Sequence, residues 1–320
     1  MRTPELDVET EAFLERSERR GLRSPHLLPV AAGRKALQEF QAGYADVSPA
    51  GLEDIMISAG AFGQVRIRIV RPAGLEGPLP IVMYMHGGAW VLGDVESYDR
   101  MARALAHGAE AALAFVDYTL APEARHPTQI EQGYAALRFL AACGAELGLD
   151  PTRIAVAGDC SGGGLAAALC LLAKYRRGPE PVFQLLLCPV LADPGATAAS
   201  PAPYDERWLT LAALRSRADQ GFDAQDARDE PTAFPLRAGI DLLNDLPDAL
   251  VIVAEHDPAR EDGEEYARRL AAAGVPSTCV RYNGAIHDFM LLNGMSGSRL
   301  SRTATRQASI ALREALYSPR

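Results

Sequence analysis

No stretch of this 320-residue chain approaches the roughly 18 consecutive apolar residues that a membrane-crossing helix needs. The opening residues, "MRTPELDVETEAFLERSERRGLRSP", are charged throughout and lack an apolar centre, so no secretory signal is expected. Cysteine is scarce and poorly placed for cross-linking. Cys143, Cys160, Cys170, Cys188 and Cys279 are odd in number, scattered, and never spaced CxxC. A disulfide framework or a zinc site is therefore not expected, and a reducing cytoplasm fits best. Positive charge is in deficit. The net charge of −9 argues against a nucleic-acid or anionic-membrane partner. There is no internal repeat and no low-complexity tract. A chain that is 48% hydrophobic and 23% charged has the composition of a soluble globular protein with a sizeable core.

Residues 1–50 carry helical apolar spacing, as in "VETEAFLERSERRGL" and "AAGRKALQEFQAGY", and suggest a helical segment lying across the rest. From about residue 55 the period changes. "GQVRIRIVRP" alternates as a half-buried strand does, and "LPIVMYMH" and "ALAFVDY" are short apolar runs of buried strands. Helical and strand patterns then alternate through "TQIEQGYAALRFLAACGAELG", "RIAVAG", "GGGLAAALCLLAKYRRG" and "FQLLLCPV". A Pro- and Ala-rich insertion spans about 193–233. The alternation resumes with "DALVIVAEHD", "REDGEEYARRLAAAG", "STCVRYNG" and a final helix, "RLSRTATRQASIALREALYS". This order predicts an α/β fold with a mainly parallel sheet covered by helices on both faces. The expected division is a helical segment at 1–50 and a catalytic domain at 51–320 that carries the insertion.

In such a sheet, a site lies beyond the carboxyl ends of the strands. Four loops fall there: "HGGAW", "GDCSGG", "HDPARED" and "GAIHDF". "GDCSGG" has the form of a nucleophile elbow, which needs small residues two before and two after the nucleophile. Gly158 and Gly162 flank Cys160 in this way, whereas centring on Ser161 would put Asp159 in a crowded place. Cys160 is therefore the expected nucleophile. The backbone N–H of Ser161, at the start of a helix, is an expected oxyanion donor, with Gly87 and Gly88 of "HGGAW" as its partners. Asp257 and His287 follow in the order acid then histidine. His287 would move the proton and Asp257 would orient the ring. His86 is expected to buttress its loop. His256, Glu255 and Asp288 are expected to be bystanders, solvated or locally hydrogen-bonded. Phe13, Trp90 and Trp208 could line a pocket or pack the core.

These stretches, with "VDYTLAPEARHPTQIEQGYAALRFL", resemble the hormone-sensitive-lipase-like group of α/β-hydrolase esterases from about residue 55 onward. The resemblance implies an α/β-hydrolase fold with a mixed sheet, and a helical cap formed by residues 1–50 and the insertion. It also implies a serine nucleophile where Cys160 stands, with Asp257 and His287 at the acid and base. Gly87, Gly88 and the Ser161 amide match its oxyanion donors. Ala89 replaces the third glycine of its HGGG motif, a change expected to be tolerated. No metal or organic cofactor is expected, and oligomeric state stays open, with a homodimer suggested by family analogy alone.

Sulfur changes the chemistry. A thiol ionises more readily than a hydroxyl, and its acyl-enzyme is a thioester that amines and thiols attack as well as water. The leading expectation is a hydrolase of small or medium acyl esters working through Cys160, His287 and Asp257. An acyltransferase or cyclising enzyme using the same thioester stays open. So does a replacement of an original serine that traps the acyl-enzyme. A ligand-binding protein without catalysis is disfavoured by the presence of both Asp257 and His287.

Overall fold

All the strands read from the sequence, and one more, join in a single eight-stranded sheet. The structure is a computed structural model and describes residues 5–43, 47–196, 204–223 and 225–318. In chain order the first elements are α1 (Val8–Arg19), α2 (Val30–Gln41), β1 (Ala50–Ser58), β2 (Gln64–Pro72) and β3 (Leu79–Met85). Then come α3 (Asp99–Ala109), β4 (Ala112–Asp117), α4 (Thr128–Cys143), β5 (Leu149–Asp159), α5 (Cys160–Tyr175) and β6 (Phe183–Leu187). The insertion carries α6 (Leu211–Gly221) and the one-turn α7 (Gln225–Arg228), and the one-turn α8 (Ile240–Leu243) follows it. The last elements are β7 (Asp248–His256), α9 (Arg260–Ala272), β8 (Ser277–Ile286) and α10 (Arg299–Tyr317).

The strand order is β1-β2-β4-β3-β5-β6-β7-β8. β2 runs antiparallel to both β1 and β4, and every other neighbouring pair is parallel. This is the mixed, mainly parallel sheet of the expected α/β-hydrolase fold. β1 is the strand that periodicity missed. Its Leu52 and Met56 are 45% and 58% exposed while Ile57 on the other face is buried, so apolar residues fall on both faces and no alternation betrays it. It is held instead by backbone pairing, from Ala50 opposite Pro72 to Ser58 opposite Gln64. At the centre the reverse holds. β3 is buried along its whole length, and α5 is apolar nearly all round because neighbours enclose it on every side.

The N-terminal segment is tied to the carboxyl ends of the strands. Arg34 bonds the carbonyl oxygens of Val91 and Ala121. Gln41 bonds those of Ser97 and Leu291. The segment also meets the insertion, where Trp208 packs edge-on against Phe13 and Phe40. Arg207 adds a bidentate bridge to Glu11 of α1. Among the described residues, no helix is long and apolar enough to cross a membrane. Residues 197–203 of the insertion lie outside the described residues.

Candidate active site

β5 hands over to α5 at Cys160, whose φ of 50° is left-handed, a region that residues other than glycine rarely enter. A Cβ added at Gly158 would lie 2.3 Å from the carbonyl oxygen of Gly162. One added at Gly162 would lie 2.2 Å from the carbonyl oxygens of both Met85 and His86. The positions two before and two after Cys160 thus have no room for a side chain. That crowding is what a nucleophile elbow imposes. Asp159, the flank of the Ser161-centred register, carries a full side chain. Ser161 is wholly buried, and its Oγ accepts a hydrogen bond of 3.1 Å from the Trp90 N–H. Its hydroxyl serves the neighbouring loop. Ser161→Ala is accordingly expected to cost about 1 kcal/mol in stability and to lower kcat/KM only a few-fold. Parallel melting and p-nitrophenyl butyrate assays check this.

β7 and β8 bring the acid and the histidine together. His287 follows the last residue of β8, and its Nδ1–H donates to Asp257 Oδ2 over 2.7 Å. Asp257 Oδ1 accepts from the Ala259 N–H at 2.8 Å, which fixes the carboxylate edge-on to the ring. Both side chains are fully buried. Burial alone would push the imidazole pKa down. Asp257, Asp288 and the Cys160 sulfur outweigh it and hold His287 well above the ordinary imidazole value. Nε2 has no hydrogen-bond partner among the described residues, so no hydrogen bond to Cys160 has formed. Such bonds often tighten only when substrate binds.

The glycine loop after β3 departs from expectation at one residue. The Gly87 N–H donates to Asp159 Oδ1 over 2.9 Å, so it is turned into the protein and is not available to an oxyanion. Next come three residues with left-handed φ: Gly88 at 100°, Ala89 at 51° and Trp90 at 64°. Successive amides in such a turn form a concave anion-binding nest. Trp90 has given its N–H to Ser161, and Gly88 and Ala89 have no acceptor among the described residues. The loop N–H groups left without an acceptor are thus those of Gly88 and Ala89, one residue later than the sequence suggests. The Ser161 N–H, in the first turn of α5, likewise has no intrahelical acceptor.

Asp159 locks this loop to the elbow. Its carboxylate takes hydrogen bonds from the hydroxyls of Tyr84 and Tyr98 as well as from Gly87. Burial, then Asp288, raise its pKa to about 7 against the bonds that lower it. The folded state thus holds this proton more tightly than the unfolded chain, whose value is 3.8. Ionisation penalises the fold increasingly as pH rises from about 4 to about 7. Asp159→Asn is expected to raise Tm more at pH 8 than at pH 5, because the amide keeps an acceptor and never ionises. Calorimetry at the two pH values tests this.

His86 and His256 are structural. His86 stacks on Tyr118 and Phe115, and its Nδ1–H bonds the Gly87 carbonyl, so it braces the loop. His256 Nδ1 accepts the Asp205 N–H and so holds the insertion. Glu255 receives the Gly284 N–H. Phe13, Trp90 and Trp208 are core residues, and the Trp208 indole donates to Asp288. Cys188 was readable only as a buried hydrophobe, yet its sulfur lies within 4.8 Å of ligand atoms on Asp257 and His287. The one sign was its place just after β6, at the same strand ends. Burial, then Asp257, push this thiol up. The two other donors of this trio are spent on one another at 2.7 Å, so the group belongs to the acid–histidine pair.

Cys160 and His287 are both completely inaccessible beneath the N-terminal segment and the insertion. A small space lined by Met101, Asp159, Leu187, Cys188 and Asp288 is about 10 Å³, no more than a water molecule fills. A groove of about 1120 Å³ lies between α5 and α10 at the amino ends of β6 and β7 and touches none of these residues.

Residues 82–291, from within β3 to just past His287, match the family described as alpha/beta hydrolase fold, and the chain belongs to that family. Its relatives narrow the chemistry. A thermostable esterase from Pseudomonas putida superposes with a TM-score of 0.94 at 40% identity, covering 100% of both chains. Carboxylesterase NlhH of Mycobacterium tuberculosis is 38% identical over 270 residues, 83% of each chain. An arylesterase of Saccharolobus solfataricus is 34% identical over 238 residues, 73% of this chain and 74% of its own. The chain is an ester-hydrolysing enzyme.

Proposed function

We propose that this chain is a carboxylic-ester hydrolase of the hormone-sensitive-lipase-like type that works through a thioester at Cys160. Enzymes of that type carry serine at this position, so the sulfur is the point at issue. The observation that carries the reading is the left-handed turn at residue 160, crowded by Gly158 and Gly162, with Ser161 diverted to Trp90. The Cys160 sulfur attacks the ester carbonyl, and its proton goes to His287 Nε2. The tetrahedral oxyanion faces the amides of Gly88, Ala89 and Ser161. Collapse breaks the ester C–O bond, and His287 returns the proton to the departing alcohol. Water, deprotonated by the same nitrogen, then cleaves the thioester and releases the acid.

Acid-quenched intact mass after mixing with a short-chain chromogenic ester tests the reading. The expected result is one acyl adduct, mapped to the peptide carrying Cys160 and removed by Cys160→Ala. Acylation at Ser161 overturns it. The burial of Cys160 away from bulk water favours one second reading, transfer of the acyl group to an amine or alcohol. A product ratio that follows added acceptor, with little free acid, would support transfer over hydrolysis.

A further inference from the structure

The catalytic imidazole is faced by a second carboxylate. Asp288 follows His287 directly, has a left-handed φ of 63° and is 8% exposed. Its Oδ1 lies 3.4 Å from His287 Nε2, the nitrogen that handles the proton in acyl transfer. Its Oδ2 takes hydrogen bonds from His26 Nε2 at 2.7 Å and from Trp208 Nε1 at 3.0 Å. His26 belongs to the N-terminal segment and Trp208 to the insertion, and the Ser24 hydroxyl bonds the Trp208 carbonyl. The His26 ring also meets the His287 ring edge-on, centroids 6.0 Å apart. The two segments that bury the site therefore converge on one carboxylate, and that carboxylate faces Nε2.

We propose that Asp288 is a positioning residue that acts through His287: the N-terminal segment and the insertion hold its carboxylate against Nε2, which keeps the ring as imidazolium beside a Cys160 thiolate. This rests on Cys160 being the nucleophile. A serine enzyme needs a neutral imidazole to accept the hydroxyl proton, and a carboxylate at Nε2 works against it. A thiol is acidic enough to release its proton before substrate arrives. The S–H bond breaks, the Nε2–H bond forms, and a charged pair waits with the general acid already loaded. The departing alcohol takes that proton, and the attacking water later restores it.

The titratable groups around the ring are Asp257 after β7, Cys160 and Asp159 at the elbow, Cys188 after β6, and His26. Asp159 in turn binds the hydroxyls of Tyr84 and Tyr98. Burial would raise the Asp288 pKa, but His287 and the bonds from His26 and Trp208 hold it below the usual carboxylate range. Asp288 is thus the second fixed negative charge at the imidazole, after Asp257.

The test is Asp288→Asn in the full chain. Asparagine keeps an oxygen for His26 and Trp208 and turns the oxygen that faces Nε2 into an uncharged N–H donor. Losing a negative charge this close lowers the imidazolium pKa. The alkaline limb of kcat/KM against pH is expected to fall by about one unit or more. The thiolate absorbance of Cys160 at neutral pH is expected to fall with it, and Asp288→Glu should restore both. A changed Tm with an unmoved alkaline limb means a merely structural role and overturns the proposal. Nuclear magnetic resonance of the unmutated enzyme gives a readout that does not depend on the variant folding. His287 protonated at neutral pH agrees, and a neutral ring there overturns. Turnover persisting in Cys160→Ala would instead sink the nucleophile assignment. Its loss there, with the Asp288→Asn limb unmoved, would sink the Asp288 proposal alone.

Discussion

Cys160→Ala is expected to lower kcat/KM on a short-chain ester by about 10⁴-fold or more, with an unchanged circular dichroism spectrum. Alanine fits the turn at least as well as cysteine, so the loss reads chemistry and not folding. What survives is the contribution of substrate binding and of the Gly88, Ala89 and Ser161 amides, which do not depend on the sulfur. Cys160→Ser is the sharper companion. Oxygen is smaller than sulfur and sits nearer the backbone, and misplacement of a reacting atom can cost on the order of 100-fold. Asp257 and Asp288 also favour the protonated form of the imidazole, which cannot take a proton from a hydroxyl. The serine variant is therefore expected to be slower than the cysteine enzyme at neutral pH and to recover part of the gap as pH rises. A serine variant that is faster at pH 7 would show that the pocket was shaped for oxygen, with the cysteine a replacement.

The elbow was legible in the sequence because backbone crowding leaves a mark there. Where Met85, His86 and Gly162 press on positions 158 and 162, only glycine survives, and that spacing can be read without coordinates. Strand ends were legible for a similar reason. β3, β5 and β7 are apolar runs whose limits are sharp, so the loops after them could be named. β1 was not legible because it is a mostly exposed edge strand whose apolar residues fall on both faces. Gly87 shows a different limit. A glycine in a sequence announces freedom for the backbone but not the direction of its N–H, and here Asp159 has claimed that group. The meeting of His26, Trp208 and Asp288 was invisible. It joins residues 262 and 80 positions apart through side chains that each look ordinary alone.

Gly162→Ala is expected to be the most damaging of the conservative changes at the site. The added methyl would sit 2.2 Å from two backbone oxygens, those of Met85 and His86, and neither can retreat without moving the end of β3 or the start of the glycine loop. Overpacking against backbone is expected to cost at least about 3 kcal/mol. For a chain of 320 residues that corresponds to a Tm loss of roughly 4–5 °C or more. Gly297→Ala is the control, since no atom lies within 4 Å of the added carbon, and its Tm should hardly move. Gly163→Ala separates the two possible centres of the motif. An added Cβ there comes within 2.8 Å of the Pro189 Cβ and 3.1 Å of its Cα, a wider gap than 2.2 Å from two carbonyls. An elbow centred on Cys160 makes Gly162 the more sensitive of the two, whereas one centred on Ser161 would make it Gly163. Thermal melts of the three variants, read beside their activity, decide which residue stands at the tip of the turn.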